Sequence, residues 1–362
     1  MKTTRVLILT LVTALLVTPA ALFAGGQTES GGSMAKAGAA GELSGAGASF
    51  PYPVYSKMFD VYNQETGVQV NYQSIGSSGG IKNIKDQVVD FGASDAYLSD
   101  KEMGAFESPV VHIPTVLGAI VVTYNLKGNP TLRLTGEVIA DIFLGKITKW
   151  NDSRITGINP GVTLPNADII VAHRSDGSGT TYNFTYYLSQ VSSTWEKQVG
   201  TGKSVNWPAG LGAAQNSGVA GIVTQTPNSI GYVELAYADQ NNLAYATIRN
   251  KAGKWIVPSL DSTSLAADTA LPDDTRIALG NTAAENGYPI STFTWLIVYK
   301  EQAYNNRPET RAKELVDLLW WVTHDGQQYA KPLEYAPLPD AAVARVETIL
   351  KSITYNGTPV RQ

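Results

Sequence analysis

Three short stretches of the chain combine glycines with small hydroxyl residues directly before an apolar segment of helical period. They are residues 47–50 (GASF), 76–80 (GSSGG) and 176–180 (DGSGT). The first N–H groups of a helix have no partner within the helix, and the helix dipole adds partial positive charge there. A phosphate-like oxyanion can accept hydrogen bonds from these N–H groups, and its negative charge is attracted to the helix start. Glycine lets the backbone approach the anion closely, and Ser or Thr adds a hydroxyl donor. The sequence therefore predicts three helix starts that could hold an anion.

Each of these features also has an ordinary structural interpretation. The run Ser77–Gly80 is by itself typical of a turn with a helix cap. Arg174 and Asp176, at the third stretch, could form a purely structural ion pair. Asp95, which follows a short strand-like run, could be a cap or a surface carboxylate. The residues alone leave these alternatives open.

The charge balance of the chain indicates that an anion site here must be local. The 362 residues carry 27 Lys and Arg against 31 Asp and Glu, a formal net charge of −4. A net negative protein does not attract anions through its overall field, so directed donors must do the binding. The same balance argues against nucleic acid as a partner.

The first 41 residues are predicted to precede the folded part of the chain. Residues 1–24 have a basic start followed by an uncharged run from Val6 to Ala24, the pattern of a secretory signal peptide. An uncleaved transmembrane anchor is the alternative, and the small residues near Ala24 favour cleavage. Residues 25–41 are rich in Gly, Ala and Ser and are predicted to be a flexible leader. We therefore expect export to the periplasm.

The chain contains no cysteine. We therefore expect no disulfides, no cysteine-ligated metal and no lipid anchor on an N-terminal cysteine. An exported protein of this length without disulfides must be stabilised by its core alone, which a division into two domains permits.

From Glu42 onward, strand-like and helix-like segments alternate. The strand-like segments are residues 43–46, 68–72 and 91–94, and the helix-like segments are residues 53–64 and 79–88. This alternation predicts an α/β fold with a largely parallel sheet.

Two long runs rich in β-branched and aromatic residues suit strands that cross between domains. They are Ile113–Tyr124 and Tyr288–Lys300. If both cross, residues 42–124 and 288–362 form a discontinuous first domain, and residues 125–287 form a second one. Two domains joined by two strands predict a hinge, with a ligand cleft between the domains.

Two other patterns suggest different chemistry but fail on inspection. Residues 200–204 (GTGKS) resemble the end of a nucleotide-binding P-loop, yet Lys197 stands where that loop needs a glycine. The three histidines, His112, His173 and His324, are far apart and lack the spacing of a metal motif. His173 could still support the third glycine-rich stretch indirectly. We therefore expect neither a bound metal nor a cofactor.

Longer strings of the chain are similar to one known family. They are Gly45–Pro51 (GAGASFP), Tyr72–Gly80 (YQSIGSSGG), Asp90–Asp95 (DFGASD), Leu144–Ile147 (LGKI), Arg174–Thr180 (RSDGSGT) and Gly231–Glu234 (GYVE). The chain resembles the periplasmic phosphate-binding proteins of Pst-type ABC importers, the PstS family. The resemblance rests on the order of these strings and on their extent, from about Leu43 nearly to the C-terminus.

This resemblance implies a two-domain α/β fold of the periplasmic-binding-protein kind, type II-like, with phosphate in the cleft. Hydrogen bonds from both domains would hold the phosphate. The residues at the matching positions are Ser49, Phe50 and Ser77 on one side, Asp95 as acceptor of the phosphate's proton, and Arg174, Ser178, Gly179 and Thr180 on the other. Asp176 would pair with Arg174 and fix its guanidinium group. The family more often has Thr at position 49, and Ser49 retains the hydroxyl.

A carboxylate at position 95 would explain selectivity in such a site. It should repel a dianion unless the ligand brings a proton to share, which phosphate has near neutral pH and sulfate lacks. Sulfate would leave two unprotonated acceptors facing each other in a dry cleft, at a cost of roughly 2 to 5 kcal/mol. Asp95 would therefore act against sulfate by repulsion.

The function that the resemblance implies is binding without a catalytic step. A monomer would bind inorganic phosphate in the periplasm and deliver it to the membrane permease of an ABC importer. One alternative is a secreted phosphate-ester hydrolase with Ser178 or Ser49 as nucleophile, but a serine needs a base or metal, and no histidine cluster accompanies these serines. Another is a binding protein for a different protonatable oxyanion such as arsenate, which Asp95 does not exclude.

Overall fold

The computed structural model describes residues 41–362. The expected signal peptide (1–24) and all but the last residue of the expected leader (25–41) lie outside the described residues. Within the described part of the chain, no helix is long and apolar enough to cross a membrane. In the same part, no cluster of three or more His, Cys, Asp or Glu side chains could hold a metal ion.

The described residues form fourteen strands, twelve α-helices and two 3-10 helices. The strands are β1 (Glu42–Gly47), β2 (Gln69–Ser74), β3 (Phe91–Ser94), β4 (Val110–Tyr124), β5 (Arg133–Leu134), β6 (Ile170–Arg174), β7 (Leu211–Ala213), β8 (Ser229–Glu234), β9 (Ala244–Tyr245), β10 (Thr247–Arg249), β11 (Trp255–Ile256), β12 (Ser291–Tyr299), β13 (Thr354–Tyr355) and β14 (Thr358–Pro359). The α-helices are α1 (Tyr52–Thr66), α2 (Ser77–Lys85), α3 (Asp100–Met103), α4 (Gly136–Phe143), α5 (Ser153–Thr156), α6 (Gly179–Val191), α7 (Ser193–Gln198), α8 (Gln215–Gln225), α9 (Leu235–Gln240), α10 (Leu260–Ala266), α11 (Glu309–Thr323) and α12 (Asp340–Lys351). The 3-10 helices are Asp325–Tyr329 and Lys331–Leu333.

One long strand, β4, runs through both parts of the main sheet. The strand order is β2-β1-β3-β12-β4-β8-β6-β7, and β9 also pairs with β4. Residues 110–119 of β4 pair with β12, and residues 120–124 pair with β8. We call the part built on β1, β2, β3 and β12 the first lobe, and the part built on β6, β7 and β8 the second lobe. The described residues nevertheless pack as a single compact unit.

The main sheet is mixed, whereas the sequence predicts a largely parallel one. The pairs β1–β2, β1–β3, β6–β7 and β6–β8 are parallel, as expected for each lobe. The strands that join the lobes are antiparallel: β12 to β3 and β4, and β4 to β8. The chain leaves the first lobe along β4 and returns along its neighbour β12, so these two strands must run in opposite directions.

The second predicted crossover strand lies largely in one lobe. β12 begins at Ser291 and pairs with β3 and β4. The residues just before it make the crossing: the Ile290 carbonyl accepts from the Ile120 N–H at 2.8 Å, and the Tyr288 hydroxyl donates to the Ile120 carbonyl at 3.1 Å. The chain therefore returns to the first lobe beside the middle of β4.

Each of the three glycine-rich stretches precedes a helix. α1 begins at Tyr52 after Pro51, α2 begins at Ser77 after Gly76, and α6 begins at Gly179 after the cap residue Ser178. The three helices follow β1, β2 and β6, so their starts lie beyond the carboxyl ends of parallel strands. In open α/β sheets this edge is where ligands bind.

Candidate functional site

The turn after β1 places Ser49 and Phe50 in a closed environment. Both side chains are buried. The Ser49 hydroxyl accepts hydrogen bonds from the backbone N–H and the side-chain amide of Asn216, each at 3.1 Å. Within residues 41–362 the Phe50 N–H has no hydrogen-bond acceptor. This buried donor is therefore open to a ligand atom.

The start of α2 meets the start of α6 directly. The Ser77 hydroxyl, which is buried, accepts from the Gly179 N–H at 2.9 Å. The Ser78 N–H donates to the Gly177 carbonyl at 3.0 Å. These contacts join a first-lobe helix to a second-lobe helix, so the structure brings together the second and third stretches that the sequence predicts to hold an anion.

Arg174 and Asp176 form a two-pronged ion pair at the end of β6. Nε of Arg174 donates to Oδ1 of Asp176 at 2.6 Å, and Nη2 donates to Oδ2 at 2.5 Å. The Gln215 N–H, at the start of α8, donates to the same Oδ1 at 3.1 Å. Burial alone would raise the pKa of Asp176, but hydrogen bonding to the guanidinium and its charge lower that pKa overall. The carboxylate therefore stays ionised and fixes the guanidinium in one orientation.

The start of α6 adds hydroxyl and backbone donors next to Arg174. Thr180 is fully buried, and its hydroxyl oxygen lies 3.4 Å from Nη1 of Arg174 and 3.2 Å from Nδ2 of Asn216. The Ser178 hydroxyl accepts from the Thr181 N–H at 3.1 Å and caps the helix, which leaves its own proton to donate. The Thr180 N–H has no acceptor among the described residues.

Asp95 lies just past the end of β3 and is 1% exposed. The Thr294 hydroxyl, on β12, donates to its Oδ1 at 2.9 Å, and the Asn183 side chain donates to its backbone carbonyl at 2.6 Å. Burial raises the pKa of Asp95 to about 7, although the hydrogen bond from Thr294 and the charge of Arg174 lower it. Near neutral pH this carboxyl can therefore accept a proton or share one.

Sequence reasoning missed two of the polar side chains that hold these residues. Asn216 links Ser49 to Thr180, and it belongs to a fourth helix start at α8, whose residues 214–216 (AQN) lack the glycine and hydroxyl signature. Thr294 lies on β12, which is buried along its whole length. A threonine in a buried strand needs a hydrogen-bond partner, and that signal could have identified it.

The three histidines lie away from the hydroxyl groups of this site. Nε2 of His112 accepts from the Leu98 N–H at 3.0 Å, and burial lowers its pKa to about 3. His173 stacks on Trp207, with 4.8 Å between ring centroids, and its Nδ1 lies 3.0 Å from the carbonyl of the next residue. His324 follows α11. Among the described residues, none of the three hydrogen-bonds to a site serine.

Comparison with known proteins places the chain in a family. The family model described as a PBP superfamily domain matches residues 32–323. The phosphate-binding protein PstS of Xylella fastidiosa (strain Temecula1) is 44% identical over 311 residues, which cover 84% of each chain. PstS of Haemophilus influenzae is 44% identical over 318 residues, which cover 86% of this chain and 93% of the relative. The chain belongs to the PstS family.

This PstS family member shares its fold with a protein of solved structure. The phosphate-binding protein from Stenotrophomonas maltophilia superposes with a TM-score of 0.66 at 19% identity, over 88% of this chain and 96% of that chain. The predicted α/β periplasmic-binding-protein fold and the predicted family are therefore confirmed.

Proposed function

We propose that this protein binds one inorganic phosphate ion in the cleft between the lobes and delivers it to the permease of an ABC importer. The relatives that support this are named phosphate-binding proteins. The observation that carries the proposal is the position of Asp95, a buried carboxyl with a raised pKa beside the Arg174 guanidinium and three helix starts. This combination of donors with one protonatable acceptor suits an oxyanion that carries a proton.

The proposed donors come from both lobes. Ser49, Phe50 and Ser77 lie on the first lobe, and Arg174 with residues 178–180 lies on the second. When phosphate enters, its oxygens would replace the direct bond between the Ser77 hydroxyl and the α6 start. Because each lobe supplies part of the site, loss of either half should weaken binding.

Asp95 is the proposed selectivity residue. Its Oδ1 accepts from Thr294, and we propose that the other oxygen accepts the proton of the phosphate. Sulfate has no such proton near neutral pH, so its oxygens would face an ionised or half-ionised carboxylate in a buried site. A contact of two unprotonated acceptors is unfavourable there.

Closure of the cleft is proposed to occur about the two connections beside the middle of β4. On this proposal the domains are residues 42–124 with 288–362, and residues 125–287. The contacts of Ile120 with Ile290 and Tyr288 lie at this boundary. A hinge of this kind needs only a few residues to change their backbone angles.

Binding rather than hydrolysis is favoured by the partners of the two candidate nucleophiles. Ser49 Oγ is engaged by Asn216, and Ser178 Oγ by the Thr181 N–H. Among the described residues, no histidine or carboxylate hydrogen-bonds to either hydroxyl, so neither serine has a base to activate it. The names of the PstS relatives likewise favour phosphate over arsenate. We further propose a periplasmic location and a monomeric state.

Calorimetric titration of the protein, freed of bound anions, tests this proposal. We expect one phosphate per chain and no heat with sulfate at pH 8. Arg174→Met should abolish most of the phosphate heat, because the site then loses its only charged donor among the proposed contacts. Absence of phosphate binding by the wild type, or hydrolysis of p-nitrophenyl phosphate that Ser178→Ala removes, would contradict it.

A further inference from the structure

Three consecutive backbone carbonyls of the turn after β1 each accept a hydrogen bond from a tyrosine. The Ala48 carbonyl accepts from the Tyr72 hydroxyl at 2.7 Å, the Ser49 carbonyl from Tyr237 at 2.6 Å, and the Phe50 carbonyl from Tyr335 at 2.6 Å. We call Tyr72, Tyr237 and Tyr335 the tyrosine clamp. The three are more than ninety residues apart in sequence, so only the fold brings them to one turn.

The clamp determines where the N–H groups of the turn point. In a trans peptide unit, the carbonyl of one residue and the N–H of the next point in opposite directions. The described residues contain no cis peptide bond. A hydroxyl on the Ala48 carbonyl therefore aims the Ser49 N–H away from Tyr72, and a hydroxyl on the Ser49 carbonyl aims the Phe50 N–H away from Tyr237. The Phe50 N–H is the backbone donor of this turn that is proposed to face the anion.

The clamp hydroxyls keep their protons. Burial raises the pKa of Tyr72, Tyr237 and Tyr335 above the ordinary tyrosine value, so each remains a donor through the physiological range. Tyr335 also donates to Oε2 of Glu234 at 2.9 Å, so its one hydroxyl proton is shared between the Phe50 carbonyl and this carboxyl.

Tyr237 is the clamp member that belongs to the second lobe. It lies on α9, directly after β8, whereas the carbonyl that it binds belongs to the first lobe. The Ser49 carbonyl also accepts from the Tyr52 N–H at 3.2 Å, so the first lobe alone holds it by one bond. The second bond exists only when the lobes are together.

We propose that Tyr237 is a positioning residue that couples lobe closure to phosphate binding. Its hydroxyl reaches across the cleft to the Ser49 carbonyl and so aligns the Phe50 N–H with the anion. A hydrogen bond to the carbonyl side of a peptide also polarises its N–H, which strengthens the donor. This inference rests on the proposed function, because it concerns the same phosphate site.

The test compares Tyr237→Phe with Tyr124→Phe. The control is Tyr124, which is also buried and whose hydroxyl donates to the Pro130 carbonyl at 2.6 Å rather than to the turn after β1. We expect Tyr237→Phe to bind phosphate about three- to tenfold more weakly, with faster dissociation, from the loss of one buried hydrogen bond. Tyr124→Phe should bind phosphate as the wild type does.

A spectroscopic readout separates positioning from general destabilisation. In protein labelled with 15N-phenylalanine, the Phe50 amide signal, identified by its loss in Phe50→Leu, should move downfield when phosphate binds. In Tyr237→Phe this downfield movement should be smaller than in the wild type, and in Tyr124→Phe it should equal that of the wild type.

The outcomes distinguish this inference from the proposed function. Wild-type protein that does not bind phosphate overturns both. If the wild type binds but Tyr237→Phe keeps its affinity and its Phe50 signal, or if both variants weaken alike, the coupling by Tyr237 is wrong. If Tyr237→Phe does not fold, the wild type alone can test the inference. The hydroxyl proton of Tyr237 should exchange with solvent more slowly when phosphate is present than when it is absent, and equal exchange rates would overturn the inference.

Discussion

Asp95 is the residue on which selectivity depends in this account. It is buried, it accepts from Thr294, and burial raises its pKa to about 7. An amide in its place is neutral and can donate a hydrogen bond, so it no longer repels an unprotonated oxyanion. On this proposal, Asp95 acts by excluding a competing anion rather than by adding attraction for phosphate.

Asp95→Asn should admit sulfate. We expect its sulfate affinity to rise by at least about 30-fold, which corresponds to the removal of roughly 2 kcal/mol of repulsion. Calorimetry with sulfate at pH 8 measures this change, and retained phosphate binding by the variant shows that the site is intact. Sulfate binding that stays undetectable in the variant would assign selectivity to another residue.

The raised pKa of Asp95 also predicts how stability changes with pH. In the unfolded chain this carboxyl titrates near 3.8, and in the phosphate-free fold at about 7. Between these values the folded state binds more protons, so the contribution of Asp95 makes the protein less stable as pH rises through this window. Above this window the destabilisation by Asp95 reaches its full value, on the order of 4 kcal/mol.

Urea unfolding of wild type and Asp95→Asn at pH 4.5, 6 and 8, without phosphate, measures this effect. The variant should gain stability relative to the wild type as pH increases, and the gain should level off near pH 8. Because other titrating groups are common to both proteins, the difference isolates Asp95. A difference that is independent of pH would contradict the raised pKa.

At the residue scale, the sequence identifies the side chains proposed to contact the ligand more readily than the side chains that hold them in place. Arg174, Asp176 and the site hydroxyls belong to short motifs, so their neighbours along the chain identify them. Asn216 and Thr294 act across 167 and 199 residues, respectively, on Ser49 and Asp95. No local pattern records such a contact, because it depends on how the strands are ordered.

Among the elements, the start of α2 shows how closely the lobes meet. Gly76 has φ of +85°, which favours glycine, and a Cβ there would lie 2.5 Å from Oδ2 of Asp176 and 2.9 Å from the Gly177 carbonyl. The position therefore excludes a side chain for two separate reasons. One reason is the backbone angle, and the other is the approach of the opposite lobe.

Gly76→Ala should weaken phosphate binding beyond its effect on stability. Gly161→Ala is the matched control, since Gly161 has φ of +84° and a Cβ added there would meet no atom within 4 Å. Both variants should lose about 1 kcal/mol of stability from the backbone angle. Only Gly76→Ala should also bind phosphate more weakly, by at least about tenfold, in calorimetric titration. Equal phosphate affinities in the two variants would mean that the lobes do not approach at α2.

Element prediction succeeds where periodicity is strong and fails where it is absent. The alternating segments of the first lobe form β1, α1, β2, α2 and β3 close to the predicted bounds. The sequence does not predict the three-stranded sheet of β5, β10 and β11, because strands of two or three residues show no period. Nor does it predict the insertion of β12 between β3 and β4, since strand order is a property of the whole fold.

In the whole molecule, an ion pair joins a side chain of the second lobe to one of the first. Nζ of Lys203, before β7, lies 2.6 Å from a carboxylate oxygen of Glu102 on α3. The two side chains join the second lobe to the first, and the bond from the Ser178 N–H to the Lys203 carbonyl, at 2.8 Å, involves only the backbone of Lys203. The ion pair should therefore stabilise the closed arrangement and slow the release of phosphate.

Lys203→Met should release phosphate about two- to fivefold faster, as expected for a partly exposed ion pair. Lys254→Met is the control, because Lys254 pairs with Glu285 at 2.7 Å within residues 125–287. Stopped-flow dissociation rates at low and high salt measure the effect, which should shrink as salt screens the pair. Equal rates for both variants at low salt would show that the pair does not hold the lobes together.

On the proposed function, buried donors from both lobes hold one protonated oxyanion, which shares its proton with Asp95. A crystal structure of the protein grown with phosphate tests it most directly. We expect a phosphate in contact with the Phe50 N–H, the Arg174 guanidinium and the start of α6, with one oxygen about 2.5–2.7 Å from the Asp95 carboxylate. A phosphate bound elsewhere, or an Asp95 carboxylate turned away from it, would contradict the account.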